Sequence, residues 1–380
     1  MESSQLLLFI MFLYTIVLSI RSINCIEKNN NLVTNQAALF LFGDSLFDAG
    51  NYKYINNNSA FQSNFFPYGQ TTFKFPTGRV SDGRLITDFI AEKAWLPLIP
   101  PNLQPSNTNS QFSYGANFAF GGAGALVETF PGMVIDLGTQ LNSFKNVVRS
   151  LKSGLGDAEA KKFLSRAVYL FSIGGNDLVY PLVANSSLFK SNTKEKFVDF
   201  VIGNTTSMVK EVYKMGGRKF GFLNMGAYEC APGISILDPT NIGSCSKPVA
   251  ELIYLYNIKF PDALRRLQRE ISGFRYALHD FHTSLLERIH NPSKYVLFVC
   301  FEGFKEGKMG CCGSGPLRGI NTCGNQMGHS FELCENVTDY LFFDASHLTE
   351  KAHRQLAELI WSGPPNVTGP YNLQALFELS

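Results

Sequence analysis

Short apolar runs alternate along this chain with longer stretches in which apolar residues recur at helical spacing. Residues 37–43 (AALFLFG) are continuous, apolar and end in a turn, which predicts a buried strand. Leu85, Ile86, Phe89 and Ile90 follow a Ser81-Asp82-Gly83 turn and predict a helix over 85–95. A short run at 117–120 ends in Gly-Gly-Ala-Gly, and 137–151 and 157–167 read as helices. Residues 168–173 (VYLFSI) predict a strand closing on Gly174-Gly175. A long helix over 194–215 closes on Gly216-Gly217, a C-terminal cap signal. A strand is predicted over 219–225, then a helix over 248–271 that Pro261 kinks or breaks. Strands over 275–281, 295–300 and 341–343 and a terminal helix over 349–361 complete the pattern.

Strands separated by helices of this length imply right-handed crossovers and a parallel sheet. The loops at the carboxyl ends of such strands carry the chemistry. No Pro/Ser-rich linker or charge run divides residues 26–380, so one α/β domain is expected, with irregular insertions at 51–77, 226–247 and 303–339. Charged residues make up 17% of the 380 residues, against about 25% in an ordinary domain, which leaves ample apolar material for a core. The net charge of +2, with no basic block, gives no case for a nucleic-acid partner.

Part of the apolar content lies at the N-terminus. Residues 6–20 (LLLFIMFLYTIVLSI) fall short of the roughly 20 residues that span a bilayer. Arg21, Ser22, Asn24 and Cys25 follow, and 1–25 reads as a secretory signal peptide. The Glu2-containing, Lys- and Arg-free start and the bulky Ile23 depart from the usual pattern. A secreted, extracellular protein with no stable membrane span is expected.

The cysteines fit that compartment. Removal of Cys25 with the signal leaves seven of eight, so at least one free thiol is expected. Four lie within 311–334; adjacent Cys311-Cys312 and a solitary His329 make poor zinc spacing, so disulfides within 230–245 and within 311–334 are favoured. Sequons at Asn57, Asn185, Asn204, Asn336 and Asn366 permit glycosylation.

The first apolar run ends in Gly43-Asp44-Ser45-Leu46, placing a serine at the sheet edge. The following residues could start a helix, with Ser45 either its cap or a nucleophile near helix N–H groups. A serine nucleophile needs a base, and the base an orienting acceptor. His279, His282, His290 and His353 read as surface or structural groups. His347 differs, because Asp344 stands three residues before it in a turn. Asn176 at the end of the 168–173 strand and the glycines at 121–124 add hydrogen-bond donors for an oxyanion. No G-x-S-x-G elbow, P-loop, H-E-x-x-H or G-x-G-x-x-G pattern is present.

Four fragments at four strand ends, in the order Ser, Gly, Asn, Asp/His, resemble the GDSL esterase/lipase family of plants, within the SGNH hydrolases. The matching blocks are GDSLFDAGN (43–51), YGANFAFGGAG (114–124), IGGND (173–177) and DASHLTE (344–350). PTGRVSDGRLITDFIAE (76–92), CAPG (230–233) and CCGSGP (311–316) are also similar to the family. The resemblance implies a flavodoxin-like three-layer α/β sandwich around a central parallel sheet. It implies a serine esterase or lipase working without cofactor or metal, as a monomer, on a small-molecule or lipid ester. Ser45 resembles the nucleophile, His347 the general base and Asp344 its orienting acid. Gly122 and Asn176 resemble the oxyanion donors beside the Ser45 N–H, with Gly121 and Gly124 as alternatives for the glycine. An acyltransferase of the same fold, with an alcohol acceptor, is the alternative activity. Two positions depart from the family: Leu348 stands where Pro usually follows the histidine, and Phe120, expected to reshape the pocket, stands where Ser is frequent. The aromatics of 61–68 (FQSNFFPY) are expected to pack under their loop rather than form a lipid-binding rim.

Overall fold

The computed structural model describes residues 37–55, 63–105, 112–184, 186–294, 303–324 and 328–379. A six-stranded sheet forms its centre, in the order β10-β5-β4-β3-β1-β2. The strands are β1 (Leu39–Gly43), β2 (Gly115–Asn117), β3 (Val168–Ser172), β4 (Lys219–Leu223), β5 (Arg275–His279) and β10 (Thr368–Pro370). All neighbours run parallel except β10, which is antiparallel to β5.

The sheet separates two cores because side chains alternate across a strand. Phe40, Phe42, Tyr169, Phe171, Phe220 and Phe222 face one layer. That layer comprises α2 (Leu137–Leu155), α3 (Asp157–Arg166), α4 (Gly175–Val183), α5 (Lys194–Lys214) and α6 (Lys247–Glu270). Leu39, Leu41, Val168 and Leu170 face the other, built from α1 (Ile86–Lys93), α7 (Phe281–His290), α8 (Glu350–Ser362) and α9 (Leu373–Glu378). Stacked rings run across the first face, Phe118 on Phe42 and Phe42 on Phe171 at 4.9 Å, then Phe171 on Phe222 at 5.5 Å. Each such pair adds about 0.5–1.5 kcal/mol to the burial itself. This ladder stiffens the strands whose carboxyl ends carry the site.

Several boundaries differ from the sequence pattern for identifiable reasons. Only the start of the 117–120 run falls in β2. Beyond it, Phe118 N–H and Phe120 N–H still donate to Leu41 and Gly43 carbonyls, so the chain follows β1 outside a regular strand. The α6 helix runs through Pro261 without a break. No helix follows Ser45: residues 44–47 form one turn, and Asp48 captures the N–H groups of Gly50 and Asn51 at 2.7 Å before a short 3-10 turn at Asn51–Tyr54. The strand expected over 295–300 lies outside the described residues.

Three disulfides, Cys230–Cys245, Cys311–Cys334 and Cys312–Cys323, use all six described cysteines, which removes them as metal ligands. Cys25 and Cys300, on which the odd thiol turns, lie outside the described residues. Asn204, Asn336 and Asn366 are exposed, and Asn57 and Asn185 lie outside the described residues. No described helix is long and apolar enough to cross a membrane.

The 303–339 insertion forms a small annex. Here β6 (Glu306–Gly310) pairs with β9 (Tyr340–Phe342), and β7 (Cys312–Gly313) with β8 (Glu332–Leu333). Cys311 N–H and Cys312 N–H donate to the carbonyls of Phe342 and Phe343. The disulfide-bonded loop is thereby fixed to the strand that leads into Asp344.

Candidate active site

Ser45 lies two residues beyond β1, Gly122 beyond β2, Asn176 in the first turn of the helix after β3, and Asp344 and His347 beyond β9. All five line one cleft of about 250 Å³. Ser45 and His347 stand 302 positions apart in sequence; β1, β2 and β3 bring Ser45, Gly122 and Asn176 to the carboxyl edge of the central sheet, and β9 of the annex brings Asp344 and His347 to them.

His347 Nε2 stands 2.9 Å from Ser45 Oγ. Its Nδ1 lies 2.8 Å from Asp344 Oδ1 and 3.0 Å from Oδ2. Asp344 Oδ1 also accepts the N–H groups of Ser346 (2.9 Å) and His347 (2.8 Å), so one carboxylate shapes the turn and orients the ring. Asp344 is buried and His347 half-buried. Burial disfavours a charge on each, but their mutual attraction and hydrogen bond prevail: Asp344 is held below, and His347 above, its ordinary pKa.

The glycine alternatives separate by their partners. Gly121 N–H donates to Asp48 Oδ2 at 2.9 Å. Gly124 packs against Asp177 and Thr129 and does not line the cleft. The Gly122 N–H lies between these and has no protein acceptor among the described residues, and neither has the Ser45 N–H. Asn176 Nδ2 donates one proton to the Ala123 carbonyl at 2.9 Å, which leaves its second proton to the cleft.

Sequence reasoning missed the groups that hold this arrangement. Asp48 accepts from Gly50, Asn51 and Gly121, joining the serine segment to the glycine segment. Asn51 Nδ2 donates to the Asn117 and Ala119 carbonyls at 2.8 Å, and Asn117 Nδ2 returns a bond to the Phe47 carbonyl at 2.6 Å. Asp177 accepts from Ala125 N–H, Leu126 N–H and Thr129 Oγ1, which ties Asn176 to the loop after the glycines. Burial pushes Asp48 and Asp177 up to about 6 and Asp44 up to about 7, despite the backbone N–H groups each accepts. Runs of Asp and Asn beside Gly were the available signal; which N–H each would accept depends on tertiary approach.

The 76–92 block secures the histidine turn from the other side. Ser81 Oγ donates to the Leu348 carbonyl at 2.9 Å, and Asp82 Oδ1 accepts the Glu350 N–H at 2.7 Å, capping α8. Arg84 pairs with Glu350 at 2.9 Å. Leu348 is buried and bridges to Phe342, so the departure from Pro keeps the turn closed.

Phe120 corrects an expectation. It is fully buried in the core beneath the sheet and does not line the cleft. In the 61–68 loop, Tyr68 is buried and Phe65 packs edge-on against it at 5.5 Å, whereas Phe66 is 61% exposed. The remaining histidines are structural or exposed. His279 bonds Thr368 Oγ1 at 2.8 Å, His282 bonds Glu229 at 2.8 Å, and buried His353 accepts the Ile86 N–H at 3.3 Å.

A hydroxyl bonded to an oriented imidazole, beside unpaired N–H donors, can attack an acyl carbonyl and stabilise the resulting oxyanion. Comparison with known proteins points to the same chemistry. The family model described as GDSL-like Lipase/Acylhydrolase matches residues 39–360. GDSL esterase/lipase 3 of Arabidopsis thaliana is 72% identical over 377 residues, covering 99% of both chains. GDSL esterase/lipase 1 of the same plant is 67% identical over 382 residues, covering 100% of both. A GDSL lipase of Tanacetum cinerariifolium is 47% identical over 356 residues, 93% of this chain and 92% of its own. With its cleft, its central sheet and its matched length, this chain belongs to the GDSL-like lipase/acylhydrolase family of carboxylic ester hydrolases.

Proposed function

We propose that the chain is an exported serine esterase that hydrolyses carboxylic esters through an acyl-enzyme on Ser45. The observation that carries this is the chain of short contacts Ser45 Oγ–His347 Nε2–His347 Nδ1–Asp344. His347 Nε2 takes the hydroxyl proton as Ser45 Oγ attacks the ester carbonyl. The oxyanion is held by the N–H groups of Ser45 and Gly122 and by the Asn176 amide. His347 then gives its proton to the departing alkoxide, leaving the acyl group on Ser45. A water molecule, deprotonated by His347, attacks the acyl carbonyl; the bond to Ser45 Oγ then breaks, His347 returns the proton to Ser45 Oγ, and the acid is released. Asp344 stays ionised and stabilises the imidazolium formed in each half.

Residues 1–25 serve as the export signal and 26–380 fold as one domain acting as a monomer. The apolar run at 6–20, the three disulfides and the exposed asparagines of three sequons support export and glycosylation. Ser45→Ala is expected to abolish ester turnover with thermal unfolding unchanged, and an organophosphonate is expected to label Ser45 alone. Undiminished turnover by Ser45→Ala would overturn the assignment. Partition of the acyl group between water and added alcohols tests the acyltransferase alternative, which requires turnover only when an acceptor is present.

A further inference from the structure

The cleft at Ser45 is lined by apolar side chains and by hydrogen-bonding ones. On the reading of Ser45 as nucleophile, we propose that the substrate's acyl chain lies against Phe130, Val179 and Tyr228 and its alcohol against Ile234, Asn321 and Ser346. We further infer a preference for short acyl chains joined to an alcohol that carries another hydrogen-bonding group.

The direction follows from the reaction. The leaving oxygen must lie toward His347 Nε2, which protonates it, while the oxyanion faces Gly122 and Asn176. The acyl substituent takes the direction that remains, away from His347 and toward the cleft residues beyond the Asn176 amide. Three side chains are tied to that side. Val179 is three residues beyond Asn176 on α4, hence on the same helix face. The Tyr228 ring packs against Gly175, where an added Cβ would lie 3.0 Å from it. Phe130 follows Thr129, whose hydroxyl donates to Asp177 at 2.7 Å. Phe130 holds a φ of 47°, unfavourable for a residue with a side chain, and its ring lies 4.2 Å from that of Tyr180. Strain of this kind concentrates where a side chain must be aimed.

The opposite flank is tied to His347. Ser346 is its neighbour. Gly233 N–H donates to the Ala345 carbonyl at 2.6 Å, so the one-turn helix Pro232–Ser235, with Ile234, rests on the histidine turn. Asn321 is presented by the annex: Ile320 bridges to Ser314, Thr322 Oγ1 donates to Ser314 Oγ at 2.8 Å, and Cys312–Cys323 closes the loop. The acyl side is thus aromatic and aliphatic apart from the Tyr228 hydroxyl, and the alcohol side adds an amide and a hydroxyl to Ile234. The whole cleft, about 250 Å³, falls below the roughly 300–1,000 Å³ of pockets that enclose drug-sized ligands, so it does not enclose a long acyl chain.

The test is a matrix of kcat/KM values on the purified enzyme. One axis is p-nitrophenyl acetate, butyrate, octanoate and palmitate; the other is butyrate esters of ethanol, glycerol and p-nitrophenol. The wild type is expected to favour butyrate over palmitate at least tenfold. Val179→Trp is expected to lower octanoate relative to acetate about tenfold with the alcohol ranking unchanged, and Val179→Ala to move the acyl ranking the other way. Asn321→Leu is expected to lower the glycerol ester relative to the ethyl ester with the acyl ranking unchanged. Preference for palmitate overturns the chain-length inference. Val179 variants that move the alcohol ranking, or Asn321→Leu that moves the acyl ranking, overturn the assignment of the flanks. Failure of the nucleophile reading is a separate outcome, seen as turnover by Ser45→Ala.

Discussion

The Tyr68 hydroxyl donates to Asp344 Oδ2 at 2.8 Å, from the far end of an insertion that sequence pattern left without a role. Tyr68 is buried and its ring packs edge-on against Phe343 at 5.2 Å, so the hydroxyl is held where it is. Asp344 therefore takes one oxygen mainly for its own turn and has the other fixed from outside. This makes Tyr68 a positioning residue acting through Asp344. Tyr68→Phe keeps the packing and removes one bond to a charged acceptor, a change worth about 1.5–3 kcal/mol. The expected result is a fall in kcat of about tenfold with KM little changed, accompanied by a thermal midpoint lowered by a few degrees. Steady-state kinetics at saturating substrate check it; an equal loss of stability without loss of kcat would assign Tyr68 a purely structural role.

The pH profile follows from the sign of the His347 shift. In the proposed mechanism His347 must be neutral to act as base, and Asp344, with a further contribution from Asp44, holds it above the usual histidine range against the opposing effect of burial. Activity is therefore expected to fall as pH drops through a value above about 6.5, the unperturbed histidine pKa. Asp44 lines the cleft, and its carboxyl is pushed up to about 7 by burial. Asp44→Asn removes a negative charge that favours the imidazolium, so its acid limb is expected to move to lower pH. The dependence of kcat/KM on pH for the two proteins checks both statements; a limb that moves upward would reverse the inferred coupling.

A second relationship explains why the serine segment begins with glycine. Gly43 has a φ of 151°, and a Cβ there would come 2.1 Å from the Ser172 carbonyl oxygen, which is fixed backbone of the neighbouring strand. Both Gly43 backbone groups are bonded by one side chain, with Gln140 Oε1 accepting at 3.0 Å and Nε2 donating at 2.8 Å. Gly43→Ala must part β1 from β3 at the point where Ser45 is aimed. It is expected to reduce soluble yield sharply and to lower the thermal midpoint more than Gln140→Ala, which leaves the buried Gly43 N–H unsatisfied at about 1–3 kcal/mol while the Gly43 carbonyl still accepts the Phe120 N–H. Thermal unfolding of the two variants gives the order.

The elements read from the sequence are those whose burial is set locally. The runs at 37–43, 168–173 and 219–225 become β1, β3 and β4 because a parallel strand buried on both faces is apolar throughout. Ser45, Gly122 and Asn176 were placed together from the sequence because they follow runs that pair in one parallel sheet, whereas Asp344 and His347 reach the same cleft from β9 of the annex, a separate pairing the pattern did not distinguish. What was not legible depends on approach between distant segments. The residues after Ser45 could have started a helix, yet the Asp48 carboxylate takes the N–H groups of Gly50, Asn51 and Gly121 instead. Phe120 was expected at the pocket and lies in the core, because chain direction beyond β2 turns its side chain under the sheet. Tyr68 could not be distinguished from Phe65 and Phe66 by composition; only the position of Asp344 selects it.

Asp177 joins the two halves of the proposed site and gives the sharpest test of how they are coupled. It is fully buried, and it accepts Ala125 N–H at 2.8 Å, Leu126 N–H at 3.0 Å and Thr129 Oγ1 at 2.7 Å. Its neighbour Asn176 supplies the amide to the cleft, while Thr129 leads into Phe130. Asp177→Ala leaves three buried donors without their acceptor, which is expected to cost about 3 kcal/mol or more in stability. Asp177→Asn keeps the shape and one acceptor oxygen but turns an NH₂ toward donors, so it is expected to fall between wild type and Asp177→Ala. Burial already pushes the carboxyl up to about 6, so loss of charge offsets part of the damage in both variants. Because the loop and the amide move together, both variants are expected to lose kcat and to blur the acyl-length preference in the same order as they lose stability. Thermal unfolding and the p-nitrophenyl ester series measured on the same preparations check this; a variant that loses stability while keeping the wild-type chain-length profile would show that Phe130 is held in place by other contacts.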